Sequence, residues 1–288
     1  MRRNTRPRGA ALALALPLLT AAAEGRAQGT SNGQVAPAAP AAAKGALRVC
    51  ADPDNLPISN ERREGIENKI ADLLARDLGD TVAYTWWPQR RGFVRNTLRS
   101  RLCDVIIGVP AGFDPVAETQ PYYRSTYVVV TRADRNLRIA SLDDPKLRGL
   151  KIGVNIIGED YTNTPPAHAL GARGIPVVGY STFYNDENRP EDIINAVARG
   201  DIDVAIAWGP LAGYFAPRAP APLTVVALPD TADSATGFPL AYDMAIGVRR
   251  SDRELRARLD SALVRNRAEI QRLLHDYNVP LLPAAPRP

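Results

Sequence analysis

The sequence predicts an α/β fold built as two lobes with a ligand cleft between them. Three observations carry this. Short apolar runs of strand length alternate with segments whose apolar residues recur at helical spacing. The alternation occurs over residues 46–131 and resumes at Leu150, with no internal repeat. A strand and a long amphipathic helix then close the chain. The expected division is residues 46–131 plus 225–288 in lobe 1 and 132–224 in lobe 2. Clefts between lobes are common ligand sites.

In order, the chain opens on a basic stretch with Arg2, Arg3, Arg6 and Arg8, then an apolar run, Ala10–Ala23. Small residues at Gly25 and Ala27 complete the pattern of an export signal over 1–27, too short and wrongly flanked to span a membrane. Residues 28–45 are rich in Ala, Pro and Gly and read as a disordered linker. Residues 1–27 hold five arginines against one glutamate, a net of +4, so the formal +5 of the 288-residue chain falls to +1 beyond them. That removes the electrostatic case for a nucleic-acid partner.

Ala46–Ala51 (ALRVCA) reads as the first strand, followed by a polar turn, Asp52-Pro-Asp-Asn-Leu-Pro. Ile66, Ile70, Leu73, Leu74 and Leu78 describe an amphipathic helix stopped by Gly79. Tyr84–Trp87 is β-prone, and Pro88 suits the start of a helix carrying Phe93, Val94, Thr97 and Leu98. Cys103–Val109 is a short apolar run of buried parallel-strand type. Open α/β sheets bind ligands beyond the carboxyl ends of such strands, which points to Pro110–Asp114. Tyr127–Thr131, Leu150–Asn155, Pro176–Tyr180, Ile202–Ala207, Leu223–Leu228 and Tyr242–Val248 read as further strands. Helices are expected after Thr164-Pro165 and after Pro190, and an irregular loop at Trp208-Gly-Pro. Ser251 and Glu254 form a capping box that opens the closing helix.

Candidate site residues follow from this layout. Asp52, Asp54 and Asn55 lie after the first strand, but Leu56 and Pro57 stand where a calcium loop needs an oxygen donor and a glycine. They read as a turn lining the cleft, with no metal. Phe113, Asp114 and Tyr122 are placed at the cleft or hinge, with Trp208 facing them from the second lobe. Trp86, Trp87, Arg90 and Arg91 read as a partner-binding surface, because Trp and Arg are enriched in hot spots. Strand alternation points one tryptophan inward and one outward. Cys50 and Cys103 lie in strands expected to be neighbours; they are either a disulfide or two buried small side chains. Catalysis has little to stand on. His168 and His275 are the only histidines, and the sequence holds no nucleophile elbow, CxxCH, HExxH or Walker loop. No enzyme and no cofactor are expected.

The segments ADPDNLPISN at 51–60, GIENKIADLLARDLG at 65–79, YTWWPQRRGFVRNTL at 84–98, CDVIIGVPAGFD at 103–114 and PYYRSTYVVVTR at 121–132 resemble the XoxJ/MoxJ family. This is the quinoprotein-dehydrogenase-associated branch of the type II periplasmic solute-binding proteins. The resemblance implies a periplasmic accessory factor for assembly or activation of a PQQ-dependent methanol dehydrogenase, of the lanthanide type, with its c-type cytochrome as a further partner. Amino-acid binders of the same superfamily hold the ligand carboxylate with an Arg shortly after the third strand and its ammonium with an acid in the second lobe. Here those places read Val116 and Trp208-Gly209-Pro210. A zwitterion buried without matched charges is costly, so a free amino acid is not the expected ligand. The alternative is a substrate-binding protein that presents another small solute to an ABC permease.

Overall fold

The structure is a computed structural model that describes residues 45–158 and 163–283. The expected export signal and the linker up to residue 44 lie outside them. The strands are β1 Ala46–Ala51, β2 Asp54–Asn55, β3 Ser59–Asn60, β4 Thr81–Trp86, β5 Val105–Pro110, β6 Ala117–Glu118, β7 Tyr123–Arg132, β8 Ile152–Ile156, β9 Val177–Ser181, β10 Val204–Trp208, β11 Leu223–Ala227 and β12 Ala241–Val248. The α-helices are α1 Ile66–Leu78, α2 Phe93–Asn96, α3 Pro165–Ala172, α4 Asp192–Arg199, α5 Gly209–Phe215, α6 Arg253–Arg265 and α7 Arg267–Asp276.

One curled sheet runs β4-β1-β5-β12-β7-β10-β8-β9, with β11 added on β7 and β6 on β12. Strand β7 belongs to both halves. Its first residues, Tyr123–Thr126, pair antiparallel with β12. From Tyr127 onward it pairs with β10 and β11. The sheet therefore changes hands at Thr126/Tyr127, before the expected boundary at residue 131, and all of β11 stays with the second half. Thr126 fixes this point: its hydroxyl is buried between the carbonyl oxygens of Leu228 and Leu240, at 3.3 and 2.9 Å. Those two residues begin and end the return segment, so one side chain ties the outgoing and returning strands together.

The first lobe packs α1, α6 and α7 on one sheet face, around Ile70, Leu74, Ile107, Ile246 and Leu259. Its other face carries a smaller core of Cys50, Phe93, Leu98, Cys103, Ile106, Val109 and Val116. Cys50 and Cys103 are joined as a disulfide with Cα atoms 5.5 Å apart, as the pairing of β1 with β5 allows. In the second lobe α3 covers one face and α4 with α5 the other.

Four local expectations are corrected. Pro88 does not open a helix. Gly92 (φ +89°) sits in the left-handed region, so α2 starts only at Phe93, and Thr97 (φ −118°, ψ −81°) ends it after one turn. Trp208-Gly-Pro is not an irregular loop, because Pro210 falls in the first turn of α5, where no N–H is needed. The closing helix breaks at Asn266 into α6 and α7. Its start is Asp252 rather than a capping box: Ser251 donates to Asp252 at 2.7 Å, and Arg249 holds the same carboxylate at 2.6 Å.

Candidate functional site

The turn after β1 is organised by the carboxylate of Asp52, which is 6 % exposed. It accepts the amide of Asp54 at 2.9 Å and the amide of Gln89 at 2.5 Å. The Asp52 carbonyl also accepts the Ser59 hydroxyl at 2.8 Å. One side chain thus joins the turn after β1 to the loop after β4. Burial pushes the Asp52 carboxyl up from 3.8, against the two amide hydrogen bonds that lower it, and the Asp54 charge adds to the rise. Asn55 reaches Gln89 only at 3.5 Å. Among the described residues no group of three or more His, Cys, Asp or Glu could hold a metal.

The two lobes touch here. Tyr184, from the segment after β9, is buried, and its hydroxyl is pushed well up by burial and by the Asp52 charge. Arg90 lies over the ring of Phe183 at 5.1 Å. Beside these contacts is an interlobe cavity of about 290 Å³, with Asp54, Glu61 and Arg62 on one wall and Arg189, Glu191 and Phe215 on the other. Both signs of charge line each wall. Of the sequence-predicted cleft residues, only Asp54 faces this cavity.

Trp208 ends β10 and packs against the core of the first lobe. Its ring meets Tyr127 edge-on at 5.3 Å and Tyr242 at 6.0 Å. It bridges β10 and the first-lobe core, and it is not among the residues lining the 290 Å³ cavity. Tyr122 packs on the same core, and its buried hydroxyl has no hydrogen-bond partner among the described residues. Phe113 is half-buried and lines a separate cavity on the first lobe. Asp114 is 93 % exposed at its side chain and pairs with Arg250 at 2.7 Å. The residues expected to converge are therefore spread over three places.

The tryptophans alternate as expected but are both half-buried. Trp86 stacks on Tyr84 at 4.4 Å and packs on the α1 side. Trp87 packs on the smaller core of the opposite face. The expected outward tryptophan is not solvated because that face has a core of its own. Arg90 and Arg91 remain exposed.

Glu67 was not anticipated. It stands in the first turn of α1, where an acid is normal because it complements the helix dipole. Its side chain instead enters the space over Gly108, where any Cβ would overlap Glu67 Oε1. Gly108 (φ +78°) is the skipped residue of a β-bulge between β5 and β12. No hydrogen bond reaches the Glu67 carboxyl among the described residues. Burial, with the Asp52 charge second, raises it well above 4.5. The Glu67 charge in turn adds to burial in raising the Tyr122 and Tyr123 hydroxyls. The missing signal was the bulge, which depends on cross-strand register and leaves no mark in a linear pattern.

No protein-family profile matches the chain. The protein MoxJ of Methylorubrum extorquens is 32 % identical over 294 aligned residues, covering 99 % of this chain and 98 % of MoxJ. The chain belongs to the MoxJ family. Among solved structures, the periplasmic binding protein XoxJ from Methylobacterium extorquens AM1 is 36 % identical with a TM-score of 0.67, covering 83 % of this chain and all of XoxJ. MxaJ from Methlophaga aminisulfidivorans MPT is 28 % identical with a TM-score of 0.71, covering 82 % of this chain and all of MxaJ. These place this MoxJ-family chain in the two-lobed type II periplasmic-binding-protein fold. The two places where the sequence leads one to expect the charge anchors of an amino-acid binder hold Val116, 5 % exposed in the smaller core, and the Trp208–Gly209–Pro210 entry to α5. Neither offers a charge.

Proposed function

We propose that this MoxJ-family protein is a periplasmic accessory factor that docks on a PQQ-dependent methanol dehydrogenase, of the lanthanide type, and promotes its assembly or activation. Residues 1–27 direct its export, and no described helix is long and apolar enough to cross a membrane. The observation that carries the reading is the interlobe contact. Tyr184 is buried beside the Asp52 turn, and Trp208 packs between Tyr127 and Tyr242. A lobed scaffold without the charge anchors of an amino-acid binder keeps a hinge and a large surface, which suit a protein partner. The c-type cytochrome that accepts the dehydrogenase's electrons is a second candidate partner.

A second reading is favoured by the 290 Å³ interlobe cavity with its mixed charges. It is a transport receptor presenting a small polar solute, other than a free amino acid, to an ABC permease. Calorimetric titration of residues 28–288 into apo and holo methanol dehydrogenase from the same source, at two temperatures, separates the two. Preferential binding to the apo enzyme is expected. No heat with either form, together with a solute retained in native mass spectrometry, would overturn the accessory role.

A further inference from the structure

The crossover from β4 to β5 contains a single helical turn, α2, between the left-handed Gly92 and the non-helical Thr97. A crossover helix normally spans the sheet face it covers. One turn leaves part of that face open, and the Gly108 bulge turns both Ile106 and Val109 toward it. The result is a cavity of about 460 Å³ on the first lobe, floored by Phe93, Ile106, Val109 and Phe113. Four arginines line it as well, Arg90, Arg91, Arg95 and Arg99, and among the described residues no acidic one does. All four are exposed.

Among the described residues, Arg90, Arg95 and Arg99 contact no acid. Arg95 reaches Asn96 at 3.4 Å and Arg99 reaches the Pro115 carbonyl at 3.3 Å. Arg90 lies on Phe183. The acids that follow in sequence are committed: Asp104 to Arg48 and Arg249, Asp114 to Arg250, and Glu118 to the amides of Gly112 and Phe113 at 3.1 and 2.6 Å. Elsewhere arginines of this chain are paired, as Arg48 and Arg249 are with Asp104.

We propose that this cavity is a docking site for an acidic peptide segment of a partner protein, with one large apolar side chain seated on the floor and flanking carboxylates on the arginine rim. The charge lies on long side chains and the floor is apolar. That layout fits an anchor flanked by acids better than a small anion, which would need donors inside. Aromatic anchors in pockets dominate binding energy, and rim charges set on-rate and salt dependence. The proposal rests on the reading of this chain as a docking protein, and it names a surface outside the interlobe cavity.

The probe is a fluorescein-labelled pentapeptide, acetyl-Glu-Asp-Trp-Asp-Glu-amide, read by anisotropy against the full chain. Saturable binding is expected. It should weaken at least about tenfold with Trp→Ala in the peptide, and at least about tenfold in Arg95→Glu/Arg99→Glu, whose exposed positions leave the fold intact. The same double variant is titrated into the dehydrogenase. Peptide binding indifferent to the charge reversal, or equal binding by a lysine-substituted peptide, would overturn the site. So would tenfold tighter binding of benzene-1,3,5-tricarboxylate than of the peptide. If the parent binds the dehydrogenase and the variant binds it equally well, the surface is wrong and the docking function stands. If the parent does not bind the dehydrogenase, the function fails and the peptide arm still decides the cavity.

Discussion

Replacing both cysteines, Cys50→Ala with Cys103→Ala, should cost the protein about 4 kcal/mol, because the bridge closes a loop across a sequence separation of 53. Loop-closure entropy for that length gives about 4 kcal/mol at 25 °C in the chain-entropy account. Both positions are buried, at 2 % and 0 % exposure, so lost packing adds to the effect rather than offsetting it. For a domain of this size each kcal/mol moves the midpoint by about 2–4 °C. The variant should therefore melt roughly 8–16 °C below the parent. Calorimetry of parent, parent plus reductant, and double variant is the assay, with the reduced parent expected to fall by the entropic part and the variant somewhat further. The damage should also be local. Phe93 and Leu98 pack on the bridge, so amide exchange should rise first across 93–98. A variant melting within about 2 °C of the parent would refute the entropic argument. So would a loss confined to the second lobe.

Other outcomes are equally checkable. Glu67→Gln should stabilise the protein increasingly as pH rises. The folded parent keeps the Glu67 proton above 4.5, where the unfolded chain has released it, so parent stability falls through that window while the glutamine variant has nothing to lose. Urea melts at pH 4 and pH 8 test this, and an equal difference at both pH values would contradict the sign. Asp104→Asn should cost about 2 kcal/mol, because Arg48 at 2.6 Å and Arg249 at 2.6 Å lose their shared carboxylate. Burial raises that carboxyl, but the two arginines outweigh it and hold it below 3.8. The parent's advantage is therefore present above that value and fades as pH falls. Gly213→Ala should lower the midpoint and expose the chain's end to proteolysis, since any Cβ there overlaps the Asn278 carbonyl; unchanged melting would show that the segment after α7 shifts freely.

Much of the architecture was legible because it rests on local patterns. The apolar spacing of Ile66, Ile70, Leu73 and Leu74 and the stop at Gly79 place α1 where it lies. Ile193, Ile194 and Val197 do the same for α4, ended by Gly200. The errors fall where tertiary contacts decide. Arg249 takes Asp252 and moves the start of α6, and Gly92 delays α2 past Pro88. The site was less legible than the fold. Asp52 was placed correctly after β1, but nothing in the turn shows that its carboxylate is spent on the Gln89 amide. Tyr122 and Phe113 stand only nine positions apart in sequence, yet they lie on opposite faces of the sheet, with different cores.

The two unusual features of the first lobe have a common origin in β5. A regular strand would alternate, and Gly108 breaks the alternation by occupying the left-handed region at the bulge. On one face this makes room for Glu67, a buried acid beside Asp52. On the other it brings Ile106 and Val109 together as the floor of the arginine-lined cavity. Gly108→Ala should then disturb both faces at once. The left-handed backbone alone costs about 1–2 kcal/mol, and the overlap with Glu67 adds to it in the parent but not in a Glu67→Ala background. A double-mutant cycle reads that coupling, while pentapeptide binding in the same four proteins reads the opposite face. Full additivity would separate the faces and leave the bulge as a local irregularity. Coupling above about 1 kcal/mol, with weakened peptide binding in both alanine-108 proteins, would make one glycine the point from which both surfaces are built.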